Sequence, residues 1–244
     1  MPIAPGPVKL GHATFVFDGP GWTVMPHGET FVDAYAVSDE ARAGTHAIVR
    51  MGTTVVMLSD DVRRFDGAKV AAGHVVAGPT LRAQLEKLEA AARDGKSVLI
   101  SGEPGTGKTL AAKVFHEAAA RNRPFVEVKH GALEREHFAA ARGGTLFIDD
   151  VDLAPANALE LLAGAKVRVV AATRHVQNAP KGFDVEVRLP NLRERREDVP
   201  FLLGKGATAE RVEAAMLKVW PGNVTELLGA AGLSRTSAAM RSKR

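Results

Sequence analysis

A glycine-rich octapeptide constrains this chain more than any other feature of its sequence. Residues 102–109 read Gly-Glu-Pro-Gly-Thr-Gly-Lys-Thr and match the pattern G-x-x-x-x-G-K-[ST] in full. The apolar run 97–101 precedes the octapeptide and a helical pattern over 110–120 follows it, which is the strand, loop and helix order that the pattern requires. The sequence therefore predicts a loop whose backbone N–H groups surround phosphate oxygens at the positive end of a helix.

The residue types in this loop predict the roles of its side chains. Lys108 would reach the β- and γ-phosphates of a nucleoside triphosphate, and the Thr109 hydroxyl would coordinate Mg²⁺. We predict that ATP and Mg²⁺ are the cofactors. The predicted binding residues are those of the loop and the next helical residue, namely Gly102, Glu103, Pro104, Gly105, Thr106, Gly107, Lys108, Thr109 and Leu110.

A second apolar segment, 146–148, ends in the acids Asp149 and Asp150. A buried strand that ends in a carboxylate beside the phosphates is what a Walker B segment provides. We predict Asp149 as a ligand of Mg²⁺ and Asp150 as the catalytic carboxylate that polarises the attacking water. Because many such ATPases carry the longer glutamate here, Asp150 favours binding over fast hydrolysis. Thr173, after the strand 167–172, is the second predicted catalytic residue, since its hydroxyl could orient that water.

Strands and helices alternate in the middle of the chain. Apolar runs at 97–101, 124–128, 145–149 and 167–173 are typical of an α/β fold with a parallel sheet. Thr80 is predicted as the N-cap of the first helix of this core. Upstream, short alternating strands with Gly, Pro and Asp turns predict a small all-β unit, with a hairpin over 46–58. The predicted segments are a β domain over 1–66, a linker over 67–79, an α/β core over 80–190, and a helical lid with a basic tail over 191–244.

Composition excludes several classes of protein and site. The 244 residues include no cysteine, which excludes disulfides and thiolate metal sites. No apolar run approaches the length of about 18 residues that a membrane span needs, and no signal-peptide pattern is visible, so we expect a cytoplasmic protein. The net charge is +4, and a basic tail of this kind is more often a solvated terminus than a nucleic-acid contact; the tail contains Arg235, Arg241, Lys243 and Arg244.

Five segments, in order, resemble one family. They are 102–109, 143–150, 169–173, 189–200 with Leu-Pro-Asn-Leu-Arg-Glu-Arg-Arg-Glu-Asp-Val-Pro, and 220–227 with Trp-Pro-Gly-Asn-Val-Thr-Glu-Leu. Together they resemble the AAA+ domain of sigma-54-dependent transcriptional activators, the bacterial enhancer-binding proteins. The resemblance covers about residues 75–232. It implies a P-loop NTPase core with a small helical lid, ATP binding and a role in transcription regulation.

The chain departs from that family in the segments that the family uses for ATP turnover and for contact with sigma-54. The family's sigma-54-contacting loop, Gly-Ala-Phe-Thr-Gly-Ala, has no counterpart between 125 and 149. Its sensor asparagine is Arg174 here, its second sensor arginine is Thr225, and its arginine-finger segment is reduced to 182–188. We expect no helix-turn-helix after the lid. We therefore expect weak or no hydrolysis, no sigma-54 contact, no direct DNA binding and an unidentified protein partner. Arg174 or Arg188 could replace a finger.

The N-terminal part resembles the later strands of a forkhead-associated domain, over 12–15, 18–24 and 30–33. That family's Ser-Arg-x-His loop reads Lys-Leu-Gly-His at 9–12, so we do not expect phosphothreonine binding. Three functions stay open. We favour a regulatory ATP-binding protein with little or no turnover. The second is an active AAA+ ATPase that regulates transcription as a homo-oligomer, and the third is a non-catalytic interaction module with a vestigial P-loop.

Overall fold

The computed structural model describes residues 6–60, 69–71, 75–130, 132–154 and 167–233. It begins with a unit of short strands, called the β unit below. Its strands are β1 (Val8–Leu10), β2 (Ala13–Phe17), β3 (Trp22–Pro26), β4 (Thr30–Val32), β5 (Tyr35–Val37), β6 (Ala41–Ala43), β7 (Ile48–Met51) and β8 (Thr54–Met57). They form two antiparallel sheets, in the orders β1–β2–β3–β6 and β5–β4–β7–β8.

Both sheets of the β unit contribute to one apolar core. Phe15 and Val24 from the first sheet pack in a single buried cluster with Val49 and Met51 from the second. The hairpin that the sequence predicts over 46–58 is confirmed as β7 and β8, with Gly52 at φ 54° in the turn. The forkhead-associated resemblance stays a prediction, and two antiparallel sheets are consistent with it.

Secondary structure is present within the segment predicted as a linker. β9 (Lys69–Ala71) and β10 (Val75–Ala77) form an antiparallel pair, which the sequence did not predict. Helix α1 (Pro79–Arg93) follows, with Gly78 as its N-cap. The prediction of Thr80 as the N-cap is wrong. Pro79 suits the first helical position because it has no N–H to leave unsatisfied and its φ is already helical.

The core is a five-stranded parallel sheet with flanking helices. Its further elements are β11 (Val98–Ser101), α2 (Lys108–Ala120), β12 (Phe125–Val128), α3 (Arg135–Ala140), β13 (Thr145–Ile148), β14 (Arg168–Thr173) and β15 (Val185–Arg188). The strand order is β12–β13–β14–β11–β15, and each pairing is parallel. The predicted α/β fold is therefore confirmed, with α2 beginning two residues earlier than the sequence pattern suggested.

Central strands of this sheet are buried on both faces, which explains their uninterrupted apolar sequences. Ile100 and Phe147 pack in the cluster that contains the apolar residues of α1 and α2. Leu99, Leu146 and Ile148 pack in a second cluster on the opposite face. Because the strands are parallel, the carboxyl ends of β11, β13 and β14 meet at one edge, where ligands of open α/β sheets bind.

Short helices follow the sheet and form the lid. Two 3₁₀ turns, Leu192–Glu194 and Arg196–Asp198, lead into α4 (Val199–Leu203), α5 (Ala209–Leu217) and α6 (Asn223–Ala230). The helical pattern predicted after Pro190 is confirmed over these elements, and the basic tail at 235–244 lies outside the described residues. Among the described helices, none combines the length and apolar character that crossing a bilayer would take.

Candidate nucleotide site

The predicted P-loop joins β11 to α2 and takes a backbone conformation that needs glycine. Gly105 has φ 77° and Gly107 has φ 106°, which are values that L side chains disfavour. Among the described residues no side chain caps the N-terminus of α2, and its first turn contains no acid. The first N–H groups of α2 are therefore suited to an anion, as the helix dipole also favours.

Lys108 is the first residue of α2 and is only 9% exposed. Its Nζ donates to the carbonyl oxygen of Gly102 at 2.8 Å and to that of Glu103 at 3.2 Å. Burial lowers the pKa of Lys108, while the charge of Asp149 opposes the change. An ammonium group has three donors, so one remains for an anionic ligand at the loop.

The two acids after β13 have different surroundings. Burial raises the pKa of Asp149 and the charge of Asp150 adds to the rise, whereas Lys108 opposes it. Asp150 has φ 52° and is 8% exposed. Its carboxylate oxygens lie 3.4 Å from Arg174 Nε and 3.4 Å from His130 Nδ1. Asp149 therefore lies within electrostatic range of Lys108, while Asp150 is held between two basic side chains.

Thr173 lies beside the P-loop at the end of β14, where its carbonyl accepts from the Gly102 N–H at 3.3 Å. Its side chain is fully buried. The hydroxyl lies 2.9 Å from Asp152 Oδ1 and 3.1 Å from the His175 carbonyl oxygen. The water-orienting role of Thr173 stays a prediction. Asp152 adds a third carboxylate that the sequence reading missed, although its place two residues after Asp150 was visible.

Oxygen donors suited to Mg²⁺ lie at this same edge. Thr109 is half-buried in the first turn of α2, and Asp149 is half-buried after β13. A hydroxyl and a carboxylate are the hard ligands that Mg²⁺ accepts beside phosphate oxygens, so the residues present fit this cation. The structure thus brings the predicted binding residues 102–110 together in one loop and helical turn, with the acids beside them.

The lid lies directly on the P-loop. Asn223, the first residue of α6, donates from Nδ2 to Glu103 Oε2 at 3.1 Å and to the Pro104 carbonyl at 3.0 Å. A Cβ added at Gly105 would collide with the carbonyl oxygen of Gly222. The lid therefore supports the loop from outside, and the sequence reading had identified the segment 220–227 without this role.

Two arginines contact the same loop, Arg193 in the first 3₁₀ turn and Arg195 between the two turns. Arg193 makes a two-point pair with the Glu103 carboxylate at 2.7 and 3.1 Å, which lowers the pKa of Glu103. Arg195 is 2% exposed and donates to the Thr106 carbonyl at 2.8 Å and to Asp198 at 3.2 Å. The charged segment 192–198 therefore positions the P-loop by contacting a side chain of the loop, Glu103, and a backbone carbonyl of the loop, that of Thr106.

Known proteins share this core. Residues 75–137 match the family described as the sigma-54 interaction domain. The core of this chain is related to the sigma-54 interaction domain. The Nif-specific regulatory protein of Bradyrhizobium diazoefficiens is 33% identical over 61% of this chain and 37% of its own length. The response regulator protein PilR of Pseudomonas aeruginosa is 33% identical over 61% of this chain and 48% of its own length. The chain thus spans less than half of either relative.

Solved structures agree on the fold of this core. NtrX from Brucella abortus in complex with ADP is similar at a TM-score of 0.53 and 22% identity, over 64% of this chain and 49% of that chain. NtrX in complex with ATP has a TM-score of 0.53 at 20% identity, over 74% of this chain and 55% of that chain. At this identity the likeness shows a shared fold, which is that of the AAA+ P-loop ATPases.

Two departures from the family pattern lie at the site of this sigma-54-type core. Arg174 pairs with Asp150. Thr225 faces the P-loop, because its Oγ1 would lie 3.1 Å from a Cβ added at Gly105. Both positions therefore lie at the candidate site.

Proposed function

We propose that this chain is a regulatory protein that binds Mg²⁺-ATP and hydrolyses it slowly or not at all. The observation that carries the proposal is the loop over 102–109, with left-handed Gly105 and Gly107 and a buried Lys108 at the uncapped start of α2. The complexes of NtrX with ATP and ADP support the nucleotide. The names of the curated relatives, which include the transcriptional regulatory protein GlrR of Escherichia coli, support a role in transcription regulation.

The surroundings of the candidate catalytic groups favour binding over turnover. Lys108 and the amides of the loop would hold the phosphates, and Thr109 and Asp149 would hold Mg²⁺, which neutralises phosphate charge when bound. Asp150 is held by basic neighbours, and the Thr173 hydroxyl is engaged by Asp152. Groups already engaged by neighbours within the chain are less available to position an attacking water, which favours slow hydrolysis.

Thermal unfolding tests nucleotide binding. Mg²⁺-ATP at a hundred times its Kd should raise the Tm of the wild-type chain by roughly 5–10 °C, since binding stabilises the native state by about 2.7 kcal/mol. Lys108→Ala should abolish the rise because it removes the charge that contacts the phosphates. Lys113→Ala, on the exposed side of the same helix, is the matched control and should keep the rise. If millimolar Mg²⁺-ATP leaves the wild-type Tm unchanged, the nucleotide proposal fails.

An active, oligomeric AAA+ ATPase is the second candidate. Asp149, Asp150 and Thr173 lie together at the carboxyl edge of the sheet, which is the arrangement that an active site would need. Loss of ATP binding altogether would favour the third candidate, an interaction module with a vestigial P-loop. For each candidate we expect a cytoplasmic location and a protein partner, without sigma-54 contact or direct DNA binding.

A further inference from the structure

A buried ion pair connects the β unit to the lid. Arg50 on β7 donates from Nε to Glu213 Oε2 on α5 at 2.7 Å, and the two side chains are 11% and 6% exposed. The Arg50 guanidinium also lies 3.9 Å from the centre of the Phe31 ring. Glu210, on the same helix, lies 3.4 Å from Arg50 Nη1 but is 63% exposed. Glu213 is therefore the principal partner of Arg50, and Glu210 is a peripheral one.

The pattern of β7 shows that this contact is part of the fold. Successive side chains of a strand point to opposite faces, yet all four residues of β7 are buried. Val49 and Met51 face the core of the β unit. Ile48 packs in the apolar cluster of the lid, which includes Met216 of α5. The lid therefore covers one face of the sheet β5–β4–β7–β8.

The same lid helices contact the P-loop. Met216 of α5 and Leu227 of α6 share one buried cluster, so these two helices pack as a unit. Asn223 at the start of α6 donates to Glu103 and to the Pro104 carbonyl. A continuous set of packed and hydrogen-bonded residues therefore runs from Arg50, through the lid, to the phosphate-binding loop.

We propose that the β unit holds the lid on the P-loop through the Arg50–Glu213 contact, so that nucleotide affinity depends on this contact. The proposal rests on the nucleotide binding proposed above. A buried ion pair adds little net stability, but removing one partner leaves an uncompensated buried charge. If the two units separate, water can solvate both charges together, so the contact can open at little net cost in stability. An event that displaces the β unit would release the lid and weaken its support of the P-loop.

Affinity for a fluorescent ATP analogue with Mg²⁺ tests the proposal in the full chain. Glu213→Gln should raise the Kd about tenfold, within the usual range of coupling between sites, because the lid would no longer be held against the loop. Glu210→Gln is the matched control on the same helix and should leave the Kd within about twofold of wild type, as expected for an exposed pair. An equal Kd in both variants, or a lower Kd in Glu213→Gln, would overturn the proposal.

Amide hydrogen exchange gives a readout that needs no nucleotide. In Glu213→Gln, exchange should become faster at 102–108 and at 222–226, whereas Glu210→Gln should match wild type. If wild type fails to bind the analogue, the proposed function fails while this comparison still tests the contact. Should Glu213→Gln not fold, Arg50→Lys is the milder variant, since it keeps the positive charge but removes the Nε donor that bonds Glu213. Unchanged exchange at both segments in Arg50→Lys would also overturn the proposal.

Discussion

At the scale of single residues, Asp150 illustrates a candidate catalytic group that is present but restrained. Arg174 Nε lies 3.4 Å from its carboxylate. Arg174→Asn removes one of its two basic neighbours, so we expect ATP turnover to rise about tenfold, a modest part of what general-base catalysis contributes. The Kd for Mg²⁺-ATP should change little. Steady-state phosphate release measures the effect, and Arg174→Lys, which keeps the charge, should stay near wild type. A fall in turnover would instead assign Arg174 to the nucleotide phosphates.

Local pattern sufficed for some residues of the site and not for others. Lys108, Thr109 and Asp149 could be predicted because each occupies a fixed place in a short motif next to a strand or a helix. The contacts of Asp150 with His130 and Arg174 depend on a left-handed backbone at 150 and on three separate strand ends. The spacing of residues along the sequence therefore could not predict that these three side chains lie together.

At the scale of elements, the contact between α6 and the P-loop depends on glycine. Gly105→Ala would place a Cβ against the Gly222 carbonyl at a φ of 77°. We expect a loss of stability of about 1–3 kcal/mol, typical of overpacking and backbone strain, with weaker Mg²⁺-ATP binding. Gly229→Ala in α6 is the control, because its Cβ would meet nothing within 4 Å and should stabilise by up to about 1 kcal/mol. Urea unfolding measures both, and equal stability of the two variants would contradict the prediction.

The 3₁₀ turn Arg196–Asp198 meets the start of α1 through a buried hydrogen bond. Asp198 accepts from the Gly78 N–H at 2.5 Å, and burial raises the pKa of Asp198 from about 3.8 to about 6, although Arg195 opposes the rise. The native state therefore takes up a proton at higher pH than the unfolded chain. The resulting stabilisation is complete below about pH 4 and is lost as pH rises through 6. Relative to Asp198→Asn, wild type should gain up to about 3 kcal/mol between pH 7 and 4. Urea unfolding at several pH values measures the difference, and a constant difference would contradict the prediction.

The buried apolar strands of the core were predictable, and the two short strands before α1 were not. The central strands β11, β13 and β14 are apolar runs of four to six residues, which the sequence predicts because both of their faces are buried. β9 and β10 have three residues each and lie among Gly and Ala. Their pairing could not be predicted because Gly and Ala carry little strand signal. The start of α1 was predictable from Pro79, which suits the first helical position better than Thr80 suits the N-cap.

At the scale of the whole molecule, the sequence predicted the units but not how they pack. The sequence predicts the run Ile48–Met51 as one strand of a hairpin, and the structure adds that both of its faces are buried because the lid covers it. Arg50 within an otherwise apolar strand was the available signal, since a buried arginine needs a partner. That partner, Glu213, lies 163 residues further along the chain, a separation at which sequence alone gives no pairing.

The oligomeric state separates the two nucleotide-binding candidates. Arg188, a candidate substitute for an arginine finger, donates to both carboxylate oxygens of Glu194 in the same chain at 2.8 and 2.9 Å. An arginine finger acts across subunits on the γ-phosphate, and a group engaged within its own chain is less available for that role. We therefore expect light scattering to give the mass of one chain with and without Mg²⁺-ATP, and turnover per chain to be independent of protein concentration. Turnover equal in wild type and Lys108→Ala would indicate a contaminating ATPase. A mass that rises with Mg²⁺-ATP, together with turnover that increases with concentration, would favour the oligomeric ATPase and contradict the regulatory binding protein.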